Sequence, residues 1–222
     1  PAVDPFTPSD LTARLAKGPH LSARQNPQAV TDRLLSDLAR GRIFILPVRC
    51  APLVPFLRPS PLGDVLRKGK HRIVHDLSFT GRMPDGSPDW SLNTLTDPSA
   101  IPECDIGEVF ERFLLRVFKL RLRYPDAHIV LAKMDVKDAF RQLFFDPRFA
   151  PLFSYRWGSY VVLDLRMGFG WTAAPGLFYR WMKALKAKMK HLRPSDITAI
   201  IWALCSICLL YTSDAADEGL GV

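Results

Sequence analysis

A short apolar segment that runs into an acidic residue constrains this sequence more than any other feature. Residues 129–136 are mostly apolar and have polar residues on both sides. A short run of this kind predicts a strand that is covered on both faces. Asp135 then lies at the edge of that strand, where a carboxylate at low dielectric needs a cation, and a divalent ion with oxygen ligands fits. Taken alone, a strand-terminal aspartate is more often a turn former or a cap than a metal ligand.

Two further motifs accompany this acid in order along the chain. The upstream motif is KHRIVHDLS at residues 70–78, and the downstream motif is MGFGWTAAP at residues 167–175. Together with Asp135 and Phe140 they resemble the fingers motif, the first palm carboxylate motif and the nucleotide-positioning motif of retroelement reverse transcriptases. The resemblance covers roughly residues 61–192. It implies an α+β, right-hand polymerase fold, of which this chain holds the fingers and part of the palm.

The resemblance also implies a role for each matching residue. Asp135 would be the catalytic carboxylate, and Asp135 and Val136 would hold two Mg²⁺ or Mn²⁺ ions. Two such ions roughly 4 Å apart can stabilise both the attacking and the leaving oxygen of an in-line displacement at phosphorus. The residues implied to bind the nucleotide are Lys70, Arg72, Val136, Lys137, Asp138, Ala139, Phe140, Phe169 and Gly170.

Phe140 matches the steric gate of the family, where a ring under the sugar leaves no room for a 2′-hydroxyl group and so favours deoxynucleotides. The alternative is that Phe140 is simply an aromatic residue of the core. Phe169 would lie beside the incoming nucleotide. Gly168 stands where the family usually has proline, which is a departure from the pattern.

The upstream motif alternates in the manner of a strand. Lys70 and Arg72 share one face, whereas Ile73 and His75 share the other. The two cations could bind a triphosphate together, since arginine supplies a planar fork and lysine a compact charge. The alternative is an ordinary solvated strand face. After the polar loop at 81–93, the resemblance implies that Asn93 helps to hold the fingers to the palm.

Several other elements are predicted from local patterns. A helix should begin at Pro27, with Asn26 at its N-cap and an apolar stripe at Val30, Leu34 and Leu38, and end before Gly41. A strand is predicted at residues 42–48, a hairpin with its turn at Gly158-Ser159, and helices at about 106–123 and 174–191. The helix at 106–123 should begin with a capping box formed by Asp105 and Glu108.

These elements divide the chain into four predicted parts. Residues 1–60 form a proline-rich extension with one helix, residues 61–130 a fingers-like region, and residues 131–207 a partial palm. Residues 208–222 resemble the conceptual translation of a transposase-end adapter used in sequencing libraries, which predicts a non-native tail. The Tyr-x-Asp-Asp motif that supplies the remaining metal ligands in the family does not follow the last helix. The chain as written is therefore expected to be an inactive fragment of its parent polymerase.

The composition agrees with a protein that binds nucleic acid. The 222 residues carry a formal charge of +8, which attracts a phosphate backbone, although many basic proteins bind no nucleic acid. Of these residues 48% are hydrophobic, enough for a real core. The expected partners are an RNA or DNA template with its primer and deoxynucleoside triphosphates. Neither a secretion signal nor a membrane span is visible, so an intracellular location, in the cytoplasm or nucleus, is expected.

Three alternatives remain at this level, of which a purely structural protein would explain neither the ordered motifs nor the basic charge balance. A domesticated nucleic-acid-binding module would keep the basic helices without an intact palm. An RNA-dependent RNA polymerase shares the acidic motif but usually has aspartate near the position of Phe140. The parent of this chain is expected to contain further polymerase sequence, with RNase H or integrase/recombinase regions as candidates for the rest.

Overall fold

The computed structural model describes residues 9–104, 108–129, 131 and 136–189. These residues form a mixture of helices and antiparallel strands, which places the chain in the α+β class. The chain folds into two compact units, each built from two separate stretches of sequence. The first unit is formed by residues 1–98 and 140–174, and the second by residues 99–139 and 175–222.

Three helices and a strand begin the first unit: α1 (Leu11–Lys17), α2 (Leu21–Gln25), α3 (Pro27–Ala39) and β1 (Ile43–Pro47). The predicted helix at Pro27 and the predicted strand after it are both confirmed. Asn26 does occupy the N-cap position of α3, but its side-chain amide donates to the carbonyl of Ser22 and does not cap the helix.

A three-stranded antiparallel sheet contains β1 together with β4 (Ser154–Trp157) and β5 (Tyr160–Asp164), in the order β1-β5-β4. The predicted turn at Gly158-Ser159 joins β4 to β5 and is confirmed. Residues 1–60, predicted as an extension, thus supply an edge strand whose partner is β5, more than a hundred residues later in the sequence.

A second, two-stranded sheet consists of β2 (Leu62–Arg67) and β3 (Lys70–His75). The upstream motif therefore does form a strand, as its alternation predicts. A short helix, α4 (Leu92–Leu95), follows the polar loop, and Ser91 caps it through the backbone N–H of Thr94.

The core of the first unit lies between α3 and the three-stranded sheet. Val30 of α3 and Val162 of β5 are at most 1% exposed and belong to one cluster, together with Tyr155 of β4. The apolar stripe of α3 is confirmed at Val30 and Leu34, but Leu38 is 43% exposed and lies outside the core. Only the residues of the stripe in the first two turns of α3 are therefore buried.

The second unit contains α5 (Val109–Arg123) and most of α6 (Ala174–Met189). Both predicted helices are confirmed, although Asp105 of the predicted capping box lies outside the described residues. Phe178 and Met182 of α6 are buried, as its apolar stripe predicts. On α5 the large apolar side chains of Leu115, Phe118 and Leu122 are more than half exposed.

The apolar segment at 129–136 is only partly described. Ile129, Leu131 and Val136 lie outside helices and strands, and Leu131 is 57% exposed, so the predicted buried strand is absent at these three positions. Asp135 and residues 190–222, which include the predicted adapter-like tail, lie outside the described residues. In the described part of the chain, no helix is both long and apolar enough to cross a membrane.

Candidate functional site

Two aromatic residues of the predicted nucleotide site are in contact. Phe140 lies in a 3₁₀ helix, Ala139–Gln142, and Phe169 lies in the loop after β5. Their ring centroids are 5.1 Å apart and their planes are inclined by 69°, which is a favourable edge-to-face arrangement. Phe140 is buried, whereas Phe169 is 37% exposed. Phe140 thus lies just beneath a surface that Phe169 helps to form.

Gly170 allows the backbone of the downstream motif to pack directly against β3. Its φ is +113°, and a Cβ atom at this position would lie 1.8 Å from the carbonyl oxygen of His75, so that only glycine fits. The backbone N–H of His75 donates to the carbonyl of Phe169 at 3.1 Å. The upstream motif, the segment of Phe140 and the downstream motif therefore meet at Phe169 and Gly170.

Asn93 connects three loop segments at the same place. Its side-chain amide donates to the carbonyl of Gly170 and to the hydroxyl of Ser78, both at 2.8 Å. Its side-chain oxygen accepts a hydrogen bond from the N–H of Thr172 at 3.0 Å. Asn93 thus holds the loop after Leu77 against the downstream motif. Its expected role between fingers and palm stays a prediction.

Of the two cations of the upstream motif, Lys70 begins β3 at the end far from His75, and Arg72 lies near the middle of the strand. Lys70 is exposed and Arg72 is half-buried. Lys70 lies opposite Arg67 in the register of β2 and β3, so the tip of the hairpin is strongly cationic. From Lys70 to His75 the strand extends about 16 Å, and the structure therefore does not bring Lys70 beside Phe169.

The residues that surround the predicted catalytic acid are only partly described. Lys137 is exposed, and Val136, Asp138 and Ala139 are half-buried. Asp138 has a φ of +54°, which is uncommon for a residue other than glycine but is tolerated by aspartate. Within the described ranges, no three His, Cys, Asp or Glu side chains are grouped so that they could hold a metal ion. Because Asp135 is outside those ranges, the metal site stays a prediction.

Sequence reasoning missed a buried charge cluster directly after Phe140. Arg141 donates to Asp164 of β5 at 2.6 Å, to Asp37 of α3 at 3.1 Å, and to the carbonyl of Arg166 at 3.2 Å. Burial alone would lower the pKa of the Arg141 guanidinium, but the two carboxylates raise its pKa overall. Because Asp37, Arg141 and Asp164 are far apart in sequence, no local pattern predicts the cluster.

His75 is a second buried ionisable group at the site. Its Nε2–H donates to the carbonyl of Ser154 at 3.1 Å, and its ring contacts Tyr155 edge-on at a centroid distance of 5.1 Å. Burial lowers the pKa of His75 to about 4, against the smaller opposing effect of the bond to Ser154. The imidazole is therefore neutral in the folded protein at neutral pH.

This depressed pKa predicts that acid destabilises the fold. In the unfolded chain His75 takes up its proton near pH 6.5, whereas in the folded chain it stays neutral until about pH 4. Its contribution to stability is thus complete above pH 6.5 and falls by about 3 kcal/mol between pH 6.5 and 4. Urea unfolding measured across this range should show a weaker pH dependence in His75→Gln than in the wild type. The exposed His128→Gln control should keep the wild-type slope, and an equal slope in all three proteins would contradict the prediction.

The fold and the site together define an α+β protein in which three motif-bearing segments meet at a pair of aromatic rings. Comparison with models of known protein families and with curated proteins finds no match to this chain. A functional assignment therefore depends on the residues themselves.

Proposed function

We propose that this chain is the fingers and partial palm of a retroelement reverse transcriptase, an RNA-directed DNA polymerase. The observation that carries the proposal is the contact of its three motifs. Phe140 packs on Phe169, and Gly170 lies against the backbone of His75 in β3. Phe140 and the upstream and downstream motifs, which are separated along the chain, are thus neighbours in space, and this supports the proposal.

The chemistry proposed is the addition of a deoxynucleotide to a primer paired with a template. Asp135 and Val136 would hold the Mg²⁺ or Mn²⁺ ions, which supply electrostatic stabilisation of the attacking and leaving oxygens when bound. The cationic tip of the β2–β3 hairpin, with Lys70 and Arg72, would attract the triphosphate. The backbone from Val136 to Ala139 would lie along the phosphates.

Phe140 would act on the sugar. Phe140 is buried and packs edge-to-face on Phe169, and a ring held in this way cannot move aside to admit an extra hydroxyl group without disturbing the core. The 2′-hydroxyl of a ribonucleotide would therefore be excluded by close packing. A rigid gate of this kind selects by a steric clash and needs no hydrogen bond to the sugar.

A domesticated nucleic-acid-binding module is the second candidate. The charge of +8 and the exposed cations at the hairpin tip favour it, because they bind phosphate whether or not catalysis occurs. Such a module would bind a primer–template in a salt-dependent manner but would have no selectivity for the sugar of a nucleotide. Selectivity thus separates the two candidates.

The test is Phe140→Ala in a complete polymerase that contains this sequence followed by a Tyr-x-Asp-Asp motif. Removing the ring should open space for the 2′-hydroxyl and lower the ratio of kcat/KM for deoxynucleotide over ribonucleotide by about tenfold or more, equivalent to about 1.4 kcal/mol. Phe149→Ala, which removes a partly exposed ring, should leave the ratio unchanged, and Asp135→Asn should abolish extension. Unchanged selectivity in an active Phe140→Ala enzyme would return Phe140 to a purely structural role, and residual activity in Asp135→Asn would remove the metal-ligand assignment.

A further inference from the structure

Two segments of the first unit carry the rings of Phe140 and Phe169, and they are joined side by side. The N–H of Met167 donates to the carbonyl of Leu143 at 3.1 Å, and Phe144 forms a bridge with Arg166. These backbone contacts align residues 140–144 with residues 164–167. The distance between the rings at the ends of the two segments depends on this alignment.

Two arginine side chains join these segments: Arg166 donates to the carbonyl of Gln142 at 3.2 Å, and Arg141 makes the buried contacts. Its Nη1 lies 2.6 Å from each carboxylate oxygen of Asp164 and 3.2 Å from the carbonyl oxygen of Arg166. A Cβ atom placed on Gly168 would be 3.6 Å from the same Nη1, so the backbone just before Phe169 lies on the guanidinium group. Arg141 thus touches the strand end and the loop that leads to Phe169.

The third partner of Arg141 comes from the N-terminal part of the chain. Asp37 of α3 accepts from Nη2 of Arg141 at 3.1 Å, and it also pairs with Arg33 at 3.0 Å and with Arg42 at 3.2 Å. The side chains of Arg141, Asp37 and Asp164 are each at most 9% exposed. Charges so far from water interact strongly and hold a fixed geometry.

We propose that Arg141 is a positioning residue: through Asp164, Asp37 and the 164–168 segment it fixes the spacing of the Phe140 and Phe169 rings, and thereby the selectivity for the sugar of the nucleotide. The selectivity part rests on the function proposed above, whereas the ring spacing is a property of this chain alone. Through Asp37, α3 thereby contributes to nucleotide selection, although α3 carries no predicted site residue.

The first experiment tests the ring spacing in the 222-residue chain. 4-Fluorophenylalanine is placed at position 140, and its ¹⁹F resonance is recorded in the wild type and in Arg141→Lys, which keeps the charge but loses the planar fork. The resonance should move in Arg141→Lys and stay in place in Arg148→Lys, a control that changes an exposed ion pair with Asp146. If Arg141→Lys fails to fold, Asp37→Asn, which removes one carboxylate and leaves Asp164 in place, serves in its stead. A resonance that does not move in the folded variant overturns the proposal.

The second experiment measures selectivity in the complete polymerase at a temperature where each variant is folded. Loss of folded enzyme lowers kcat/KM equally for both nucleotide classes, so the ratio of the two reports positioning and not stability. Since a small displacement of a reacting group can be costly, Arg141→Lys should lower the ratio about tenfold and Arg148→Lys should not. A ratio unchanged in Arg141→Lys while Phe140→Ala lowers it would overturn the role of Arg141. A ratio unchanged in Phe140→Ala as well would count against the proposed function, and the ¹⁹F result would still decide the ring spacing.

Discussion

Replacing Asp89 with asparagine should lower the free energy of unfolding by roughly 3–5 kcal/mol. The carboxylate of Asp89 is fully buried and is paired with Arg14 at 2.7 Å and with Arg58 at 3.0 Å; the side chains of these arginines are 1% and 3% exposed. Ser9 and the backbone N–H of Trp90 also donate to it. Neutralising Asp89 thus removes the carboxylate with which both buried guanidinium groups are paired.

The measurement is urea unfolding at neutral pH, followed by circular dichroism. Asp146→Asn is the matched control, because its ion pair with Arg148 joins side chains that are 37% and 82% exposed. An exposed pair contributes about 0–1 kcal/mol, so the control should unfold close to the wild type. If the two variants lost the same stability, the buried cluster around Asp89 would not be a major source of stability.

Replacing Arg141 with methionine should cost a similar amount, roughly 3–5 kcal/mol. Methionine preserves much of the volume of the side chain but leaves Asp164, whose side chain is 9% exposed, without its principal partner. Asp37 keeps Arg33 and Arg42, so the loss is concentrated at Asp164.

A double-mutant cycle shows how much of that loss is electrostatic. Removing both charges with Arg141→Met and Asp164→Leu should restore a large part of the stability, because an apolar pair has no buried charge to compensate. The free energies of unfolding of the two single variants and the double variant give the coupling directly. A double variant as unstable as the sum of its single changes would show that Arg141 and Asp164 act independently.

Local patterns predicted the secondary structure well where the signal is short-range. The turn at Gly158-Ser159, the start of α3 at Pro27, the strand of the upstream motif and the helix from Ala174 all follow from residues that are neighbours in sequence. Leu38 lies on the predicted apolar stripe of α3, but its side chain is exposed and is not part of the core. Burial depends on what packs against a helix, which its own periodicity does not specify.

The candidate site was predicted in part. Motif order indicated that Phe140, Phe169 and Gly170 belong together. The structure brings Phe140 and Phe169 into contact and places Gly170 against His75. The buried ion pairs of Arg141 with Asp37 and Asp164 were not predicted. Arginine and aspartate are common surface residues, so the sequence of Arg141 and its surroundings is also compatible with an ordinary solvated turn.

The sequence by itself determined α3, β1, β3, α5, α6 and the turn between β4 and β5, together with the cationic character of β3 and the order of the motifs. Each of these depends on neighbouring residues or on composition. It did not determine the segment at 129–136, where the predicted strand is absent at the described positions. Only the tertiary structure decided that β1 is an edge strand paired with β5, that Gly170 lies against His75, and that Asp37, Arg141 and Asp164 form one buried cluster. These features join residues that are distant along the chain. Their stability comes from burial and from the pairing of charges away from water, and both exist only once the chain has folded.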